Sequence, residues 1–94
     1  MIAAPKFPLG RIYTTPGVLA TVGQAAVLPL IRRHVTGDWG EMDEEDRAAN
    51  ERALVTGERI FSAYTVGEGD DTVVVWVITE ADRSATTVLL PEEY

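Results

Sequence analysis

The apolar positions of this chain change period twice, and the changes divide it into a first strand, a helical middle and a β-rich end. Residues 9–14 (LGRIYT) alternate well enough for a short strand held between Pro8 and the turn that follows. Thr15-Pro16 has the form of a helix cap followed by proline in the first helical position, which predicts a short helix to about Val22, closed by Gly23. A second helix is expected from near Leu28-Pro29, with Leu30 and Ile31 facing inward and Arg32 and Arg33 outward. Proline fits only the first turn of such a helix, and Gly37 stands where a terminating glycine belongs.

The third helix carries the fullest set of signals. Asp43 is placed to cap it, and Glu44, Glu45 and Asp46 complement the positive end of the helix dipole. Gly57 closes it, and Met42, Ala49, Ala53 and Leu54 form a thin apolar stripe.

From Glu58 the period becomes that of strands. Residues 59–66 (RIFSAYTV) alternate, with Ile60 on one face and Phe61, Ala63 and Thr65 on the other. GEGDD at 67–71 reads as a hairpin loop. Residues 72–79 (TVVVWVIT) are so uniformly β-branched and aromatic that they predict the central strand, with Val73, Val75, Val77 and most of Trp76 buried. A tight turn at 80–84 leads to a returning strand over 85–90, which Pro91 stops. Tyr64, Trp76 and the threonines of the last strand are the candidates for the exposed sheet face.

The expected fold is therefore α+β. A short N-terminal strand and three helices precede a three-stranded antiparallel meander, which the first strand could extend, packed against the helices in a single domain spanning 1–94. Ninety-four residues with 46% hydrophobic and 24% charged side chains suit one modest core and are too apolar for a disordered chain. No apolar run approaches a membrane span, and MIAAPKFPLGR lacks the pattern of a signal peptide, so no membrane partner and a cytoplasmic location are expected. The chain has no cysteine, which removes disulfides, thiol nucleophiles and cysteine zinc sites together.

Charge sharpens this picture. The net charge is −7, yet residues 1–36 hold Lys6, Arg11, Arg32 and Arg33 and no carboxylate. All 15 carboxylates lie in 37–94, against Arg47, Arg52, Arg59 and Arg83. Such a surface repels phosphate backbones, so direct binding of nucleic acid is not expected, and it favours a basic protein partner. Its plainer consequence is solubility.

Three groups of residues could carry chemistry. His34, the sole histidine, suits a helix C-terminus, where its cation would meet the negative dipole end. Asp38, Asp43 and Asp46 lie near enough to suggest a metal, but their spacing matches no ligand pattern, and neither metal nor cofactor is expected. Trp39, between two glycines, either plugs the turn from beneath or anchors a partner; a large ring in a loop more often plugs. Arg83, Ser84, Thr86 and Thr87 gather an arginine with hydroxyls. Set against His34, they would assemble a small ribonuclease-like, toxin-type enzyme in which His34, Arg83 and Thr86 are catalytic. An ordinary turn before a threonine-rich strand explains the same residues.

The blocks PLGRIYTTPGVL, RHVTGDWGEMDEEDR and WVITEADRSATTVLLPEEY together resemble a family of small proteins carried on plasmids, phages and other mobile elements. The resemblance spans nearly the whole chain. It implies a mobile-element accessory protein. Acidic proteins in that setting inhibit host defence, in the manner of anti-CRISPR or anti-restriction proteins, by occupying a basic surface meant for nucleic acid. A non-enzymatic module of this type would use Asp43, Glu44, Glu45, Asp46 and Glu51 as phosphate stand-ins. Its partner would be a basic host protein, such as a nucleic-acid-binding defence complex.

Overall fold

A computed structural model of the chain describes residues 4–94. The segment bearing on a leader peptide begins at 1–3, outside the described residues. The elements follow the order β1 (Arg11–Thr14), α1 (Pro16–Thr21), a 3-10 turn (Gln24–Ala26), α2 (Val27–Val35), α3 (Glu44–Thr56), β2 (Ile60–Val66), β3 (Val73–Thr79), β4 (Ala85–Leu89) and a closing 3-10 turn (Pro91–Glu93). No described helix is long and apolar enough to cross a membrane.

The α+β class holds, and the first strand extends the meander to a four-stranded sheet in the order β1-β4-β3-β2. Strands β2, β3 and β4 form the expected antiparallel meander, and β1 joins its far edge parallel to β4. A parallel partner needs a long crossover connection. Here the three helices and the first two meander strands supply it. Strand β3 is interior, as its composition requires, but it shares that position with β4.

Local signals explain the helices. The Thr15 hydroxyl accepts from the Val18 amide, and the Asp43 carboxylate accepts from the Asp46 amide at 2.8 Å. Gly57 ends α3 in the left-handed conformation. Helix α2 starts at Val27, which puts Pro29 in the first turn, and buries Val27, Leu30, Ile31 and His34 while Arg32 and Arg33 face solvent.

The inner sheet face packs on α1 and α2 through Val18, Val27, Leu30, Ile31, Tyr64, Val75, Val77, Val88 and Leu90. A second cluster, Phe7, Trp39, Ala53 and Ile60, lies beneath the N-terminal segment and α3. Tyr64 belongs to the inner face, contrary to the expectation from sequence: it shares the parity of Ile60 on β2, is fully buried, and donates its hydroxyl to the Asp38 carbonyl at 2.7 Å. The threonines of β4 divide, Thr86 inward and Thr87 outward. Val75 and Val77 are fully buried, whereas Val73 and Trp76 are only half-buried. In α3, Ala49 is exposed and the buried positions are Asn50 and Ala53.

The β2 edge is closed by the loop after α2. The Glu41 amide donates to the Ala63 carbonyl at 2.7 Å, and the Ala63 amide donates to the Trp39 carbonyl at 3.2 Å. Between them Gly40 has φ +75°, and a Cβ there would collide with the Ala63 carbonyl and the Tyr64 ring. Only glycine allows this approach. Asn50 completes the cover, its side-chain amide exchanging hydrogen bonds with the Phe61 backbone in both directions, at 2.6 and 3.1 Å.

Candidate functional site

Three polar groupings could serve function: the histidine network, the arginine turn and the acidic end of α3. Inward-facing polar residues on three strands build the first. Ser62, Thr79 and Thr86 occupy inner-face positions otherwise filled by valine, isoleucine or tyrosine, and His34 descends on them from α2. All four are fully buried. The His34 ring meets the Ser62 hydroxyl through Nδ1 at 2.6 Å and the Thr79 hydroxyl through Nε2 at 2.9 Å. Thr79 meets Thr86 at 2.7 Å, and Thr86 donates to the Leu9 carbonyl at 2.7 Å.

The direction of this chain follows from its last member. A carbonyl only accepts, so the single Thr86 proton goes to Leu9 and Thr79 donates to Thr86. Thr79 then accepts from His34, placing the ring proton on Nε2, and Ser62 donates to Nδ1. Every member is satisfied with a neutral ring. Among the described residues, no buried side-chain nitrogen or oxygen lacks a partner.

Burial lowers the imidazole from its ordinary value near 6.5 to about 4. The expected helix-terminal cation is therefore a neutral core group, and the helix end is closed instead by the Thr36 hydroxyl, which donates to the Arg32 carbonyl at 2.7 Å. Below pH 6.5 the unfolded chain takes up a proton that the native ring refuses. The His34 contribution should remove about 3 kcal/mol between pH 6.5 and pH 4 and does not grow below, where the native ring also protonates, while carboxyls held low in the folded chain, such as Asp38, continue the loss there. Denaturant unfolding across that range tests this, with His34→Gln expected to lose the slope. A histidine titrating near 6.5 in the folded protein, followed by NMR, would contradict the assignment.

Arg83 lies elsewhere in function though close in space. It stands in the 80–84 turn with φ 62°, and its guanidinium donates to the carbonyls of Glu58, Glu80 and Ala81 through one nitrogen and to that of Ala53 through the other. Ala53 is in the last turns of α3, so Arg83 neutralises a helix C-terminus and ties it to the β3–β4 turn. The Phe7 ring lies between Arg83 and His34, 5.8 Å from the guanidinium carbon and 5.2 Å from the imidazole centroid. His34, Arg83 and Thr86 are thus neighbours, but they meet no common surface. The imidazole and Thr86 are enclosed, and the guanidinium is spent on carbonyls. A general base must reach its substrate, and this arrangement gives His34 no such face.

Trp39 is buried. Its indole N–H donates to the Glu51 carboxylate at 2.8 Å, and its ring lies against Phe7 and His34 at centroid distances of 6.3 and 6.1 Å. Asp38 turns away from His34 to pair with Arg33 at 2.6 Å, an interaction that holds its carboxyl below the usual range. Among the described residues no histidine–carboxylate group could hold a metal ion.

The acidic residues form the remaining site. Helix α3 runs back along β2, from Asp43, just past the hydrogen bond between Thr65 and Glu41, to Gly57, shortly before Ile60. Its N-terminus and the 67–71 loop that extends β2 therefore lie toward the same end of the sheet. Asp43, Glu44, Glu45 and Asp46 are all exposed, as are Glu41 and, in the loop, Glu68, Asp70 and Asp71. Two of the expected five contact residues have internal tasks, Asp43 as the cap and Glu51 as acceptor for Trp39. Glu44, Glu45 and Asp46 pair with no cation; the ion pair found among the described residues is Arg33–Asp38. Arg47, one turn along, donates instead to the carbonyls of Met42 and Gly40. The neighbouring Asp43 carboxylate raises the Asp46 carboxyl above its ordinary value, the mark of like charges held close.

Beside this turn lies a cleft of about 300 Å³ lined by Met42, Asp46, Ala49, Asn50, Arg59 and Phe61. Its polar side chains other than Asp46 are engaged, Asn50 with Phe61 and Arg59 with the Tyr94 hydroxyl at 2.7 Å. Comparison of the chain with protein-family models, with curated proteins and with solved structures returns no match.

Proposed function

We propose that this chain is a non-enzymatic protein-binding accessory of a mobile genetic element, which inhibits a host defence system by covering the basic surface with which a defence protein holds nucleic acid. The observation that carries this reading is the acidic end, where Glu44, Glu45 and Asp46 form no salt bridge among the described residues and repulsion from the Asp43 carboxylate raises that of Asp46. A basic partner relieves that repulsion, and carboxylates spaced along a helix turn present charge much as phosphates do. The commitment of His34 and Arg83 to internal bonds favours binding over catalysis.

The experiment is charge reversal. Glu44→Lys, Glu45→Lys and Asp46→Lys are combined, leaving Asp43 and Glu51 in place because they cap α3 and hold Trp39. Isolated surface charges contribute little to stability, and the dipole penalty for cations in a first turn is roughly 0.3–1 kcal/mol each. The triple variant should therefore stay folded. It should lose binding to the basic defence protein the parent captures, and parental binding should weaken steeply with salt, since exposed charges are screened within about 8–10 Å at ordinary ionic strength. Binding indifferent to both changes would refute the reading.

A further inference from the structure

The two edges of the sheet are treated differently. The β2 edge is covered by Trp39–Glu41 and Asn50, whereas among the described residues nothing pairs with the outer side of β1. In the parallel ladder with β4, the Arg11 amide donates to the Ser84 carbonyl at 2.9 Å and the Thr15 amide to that of Val88 at 3.1 Å. Alternation along a strand then turns the N–H and C=O groups of Ile12 and Thr14 outward. The side chains beside them are exposed and largely apolar, Ile12 at 47% and Tyr13 at 51%. Natural edges are blunted by shortness, charge, proline, a bulge or a covering segment. Strand β1 is short and begins with Arg11, but RIYT holds no lysine or proline and its ladder with β4 runs without a bulge.

We infer that β1 is a self-association surface on which a second copy of this chain pairs antiparallel, joining the two sheets across a two-fold axis at Tyr13. Backbone groups and side chains both admit this occupant. With Tyr13 opposite Tyr13 of the second copy, each outward-facing Ile12 lies opposite a Thr14, and such a pair exchanges both N–H···O bonds. The strand is thus complementary to itself in one register, as an isologous contact requires. The two Tyr13 rings meet on the outer face in the closely spaced position of the ladder, while Ile12 packs beside Thr14 on the inner face. Arg11 falls opposite Thr15 rather than opposite its own copy, so no like charges face each other.

Charge placement agrees. Strand order β1-β4-β3-β2 puts the acidic helix and loop at the edge away from β1. Pairing through β1 therefore keeps the two acidic ends far apart and leaves both open. This inference does not depend on the proposed function. Pairing through β2 would need the loop at 39–41 to be displaced.

Sedimentation equilibrium of the full chain tests the pairing, together with amide exchange followed by NMR. A two-chain mass, twice 10.2 kDa, is expected at high concentration and should dissociate on dilution, because the edge is short. Tyr13→Lys places like charges directly opposite and should weaken association about tenfold or more. Ile12→Pro removes an outward N–H that β4 does not use, and should give single chains with the fold intact. Val55→Lys, at an exposed apolar site on α3, should leave association unchanged. At concentrations where the chain is paired, the Ile12 and Thr14 amides should be protected, and dilution should release them while the Tyr13 amide stays protected. Should Ile12→Pro fail to fold, Tyr13→Lys and the exchange pattern decide. A single-chain mass at every concentration overturns the inference, as does association that survives Tyr13→Lys or free exchange of Ile12 and Thr14 in the paired state.

Discussion

Val75→Asp is expected to leave the chain unfolded at ambient temperature. Val75 is fully buried on β3, opposite Tyr64 on β2, within the cluster that joins the sheet to α1 and α2. Arg33, whose guanidinium carbon lies 4.5 Å from the Tyr64 ring centroid, is already paired with Asp38, so the new carboxylate would be buried without a partner, at a cost of several kcal/mol. A domain of this size has a total stability of about 5–15 kcal/mol, and the lost packing of valine adds to the loss. Val74→Asp is the internal control, since Val74 points to the opposite face and is 44% exposed. Circular dichroism should show native structure and a cooperative melt for Val74→Asp and neither for Val75→Asp. A Val75→Asp variant that melts within a few degrees of the parent would mean that β3 does not lie inside the sheet as described.

Trp39→Ala should lower stability by roughly 3–5 kcal/mol, the range for removing a large buried aromatic side chain. The ring fills the space beneath the α2–α3 loop, touching Phe7 and His34, and its N–H holds Glu51 on α3. Its loss would open a void next to the histidine network and free the loop that covers the β2 edge. Trp39→Phe keeps most of the apolar area and drops only the bond to Glu51, so it should recover the larger part of the loss. Equilibrium unfolding in denaturant measures both. An alanine variant as stable as the parent would move Trp39 from the core to the partner-contact surface.

The local elements were legible because each is specified by neighbours in sequence. Thr15-Pro16, Asp43 and Gly57 bound their helices through hydrogen bonds within a few residues. The alternation of β2 and the uniform apolarity of β3 fixed the meander. The place of β1 was not legible, because a four-residue strand joining β4 from more than seventy residues away leaves no local trace. Tyr64 lies on the inner face rather than the exposed one. The parity it shares with Ile60 already put it inside, and the carbonyl that receives its proton, Asp38, comes from a distant loop.

The site was legible in part. The acidic first turn of α3 stood out as a charge pattern, but the duties of Asp43 and Glu51 depend on tertiary contacts. His34 drew attention as the single titratable group near neutrality, and its burial reversed the role inferred for it. The signal that could have corrected this is the recurrence of hydroxyls at inward positions, Ser62 beside Tyr64, Thr79 beside Val77 and Thr86 beside Val88. Polar residues in an inward series need an internal partner, and a lone histidine on the buried face of α2 can supply two bonds at once. Asn50 gives a similar signal, a short polar side chain on the buried side of α3 one turn before Ala53, serving the edge of a strand.

The central claim is that the acidic end takes the place of nucleic acid on a basic protein. The most direct measurement is equilibrium competition on the basic defence protein proposed as the partner, with a labelled nucleic acid bound first and the chain titrated in. Displacement should reach completion with an inhibition constant that matches the chain's own dissociation constant. The Glu44→Lys, Glu45→Lys, Asp46→Lys variant should displace nothing at the same concentrations. A ternary complex, in which the chain binds while the nucleic acid keeps its affinity, would contradict the account.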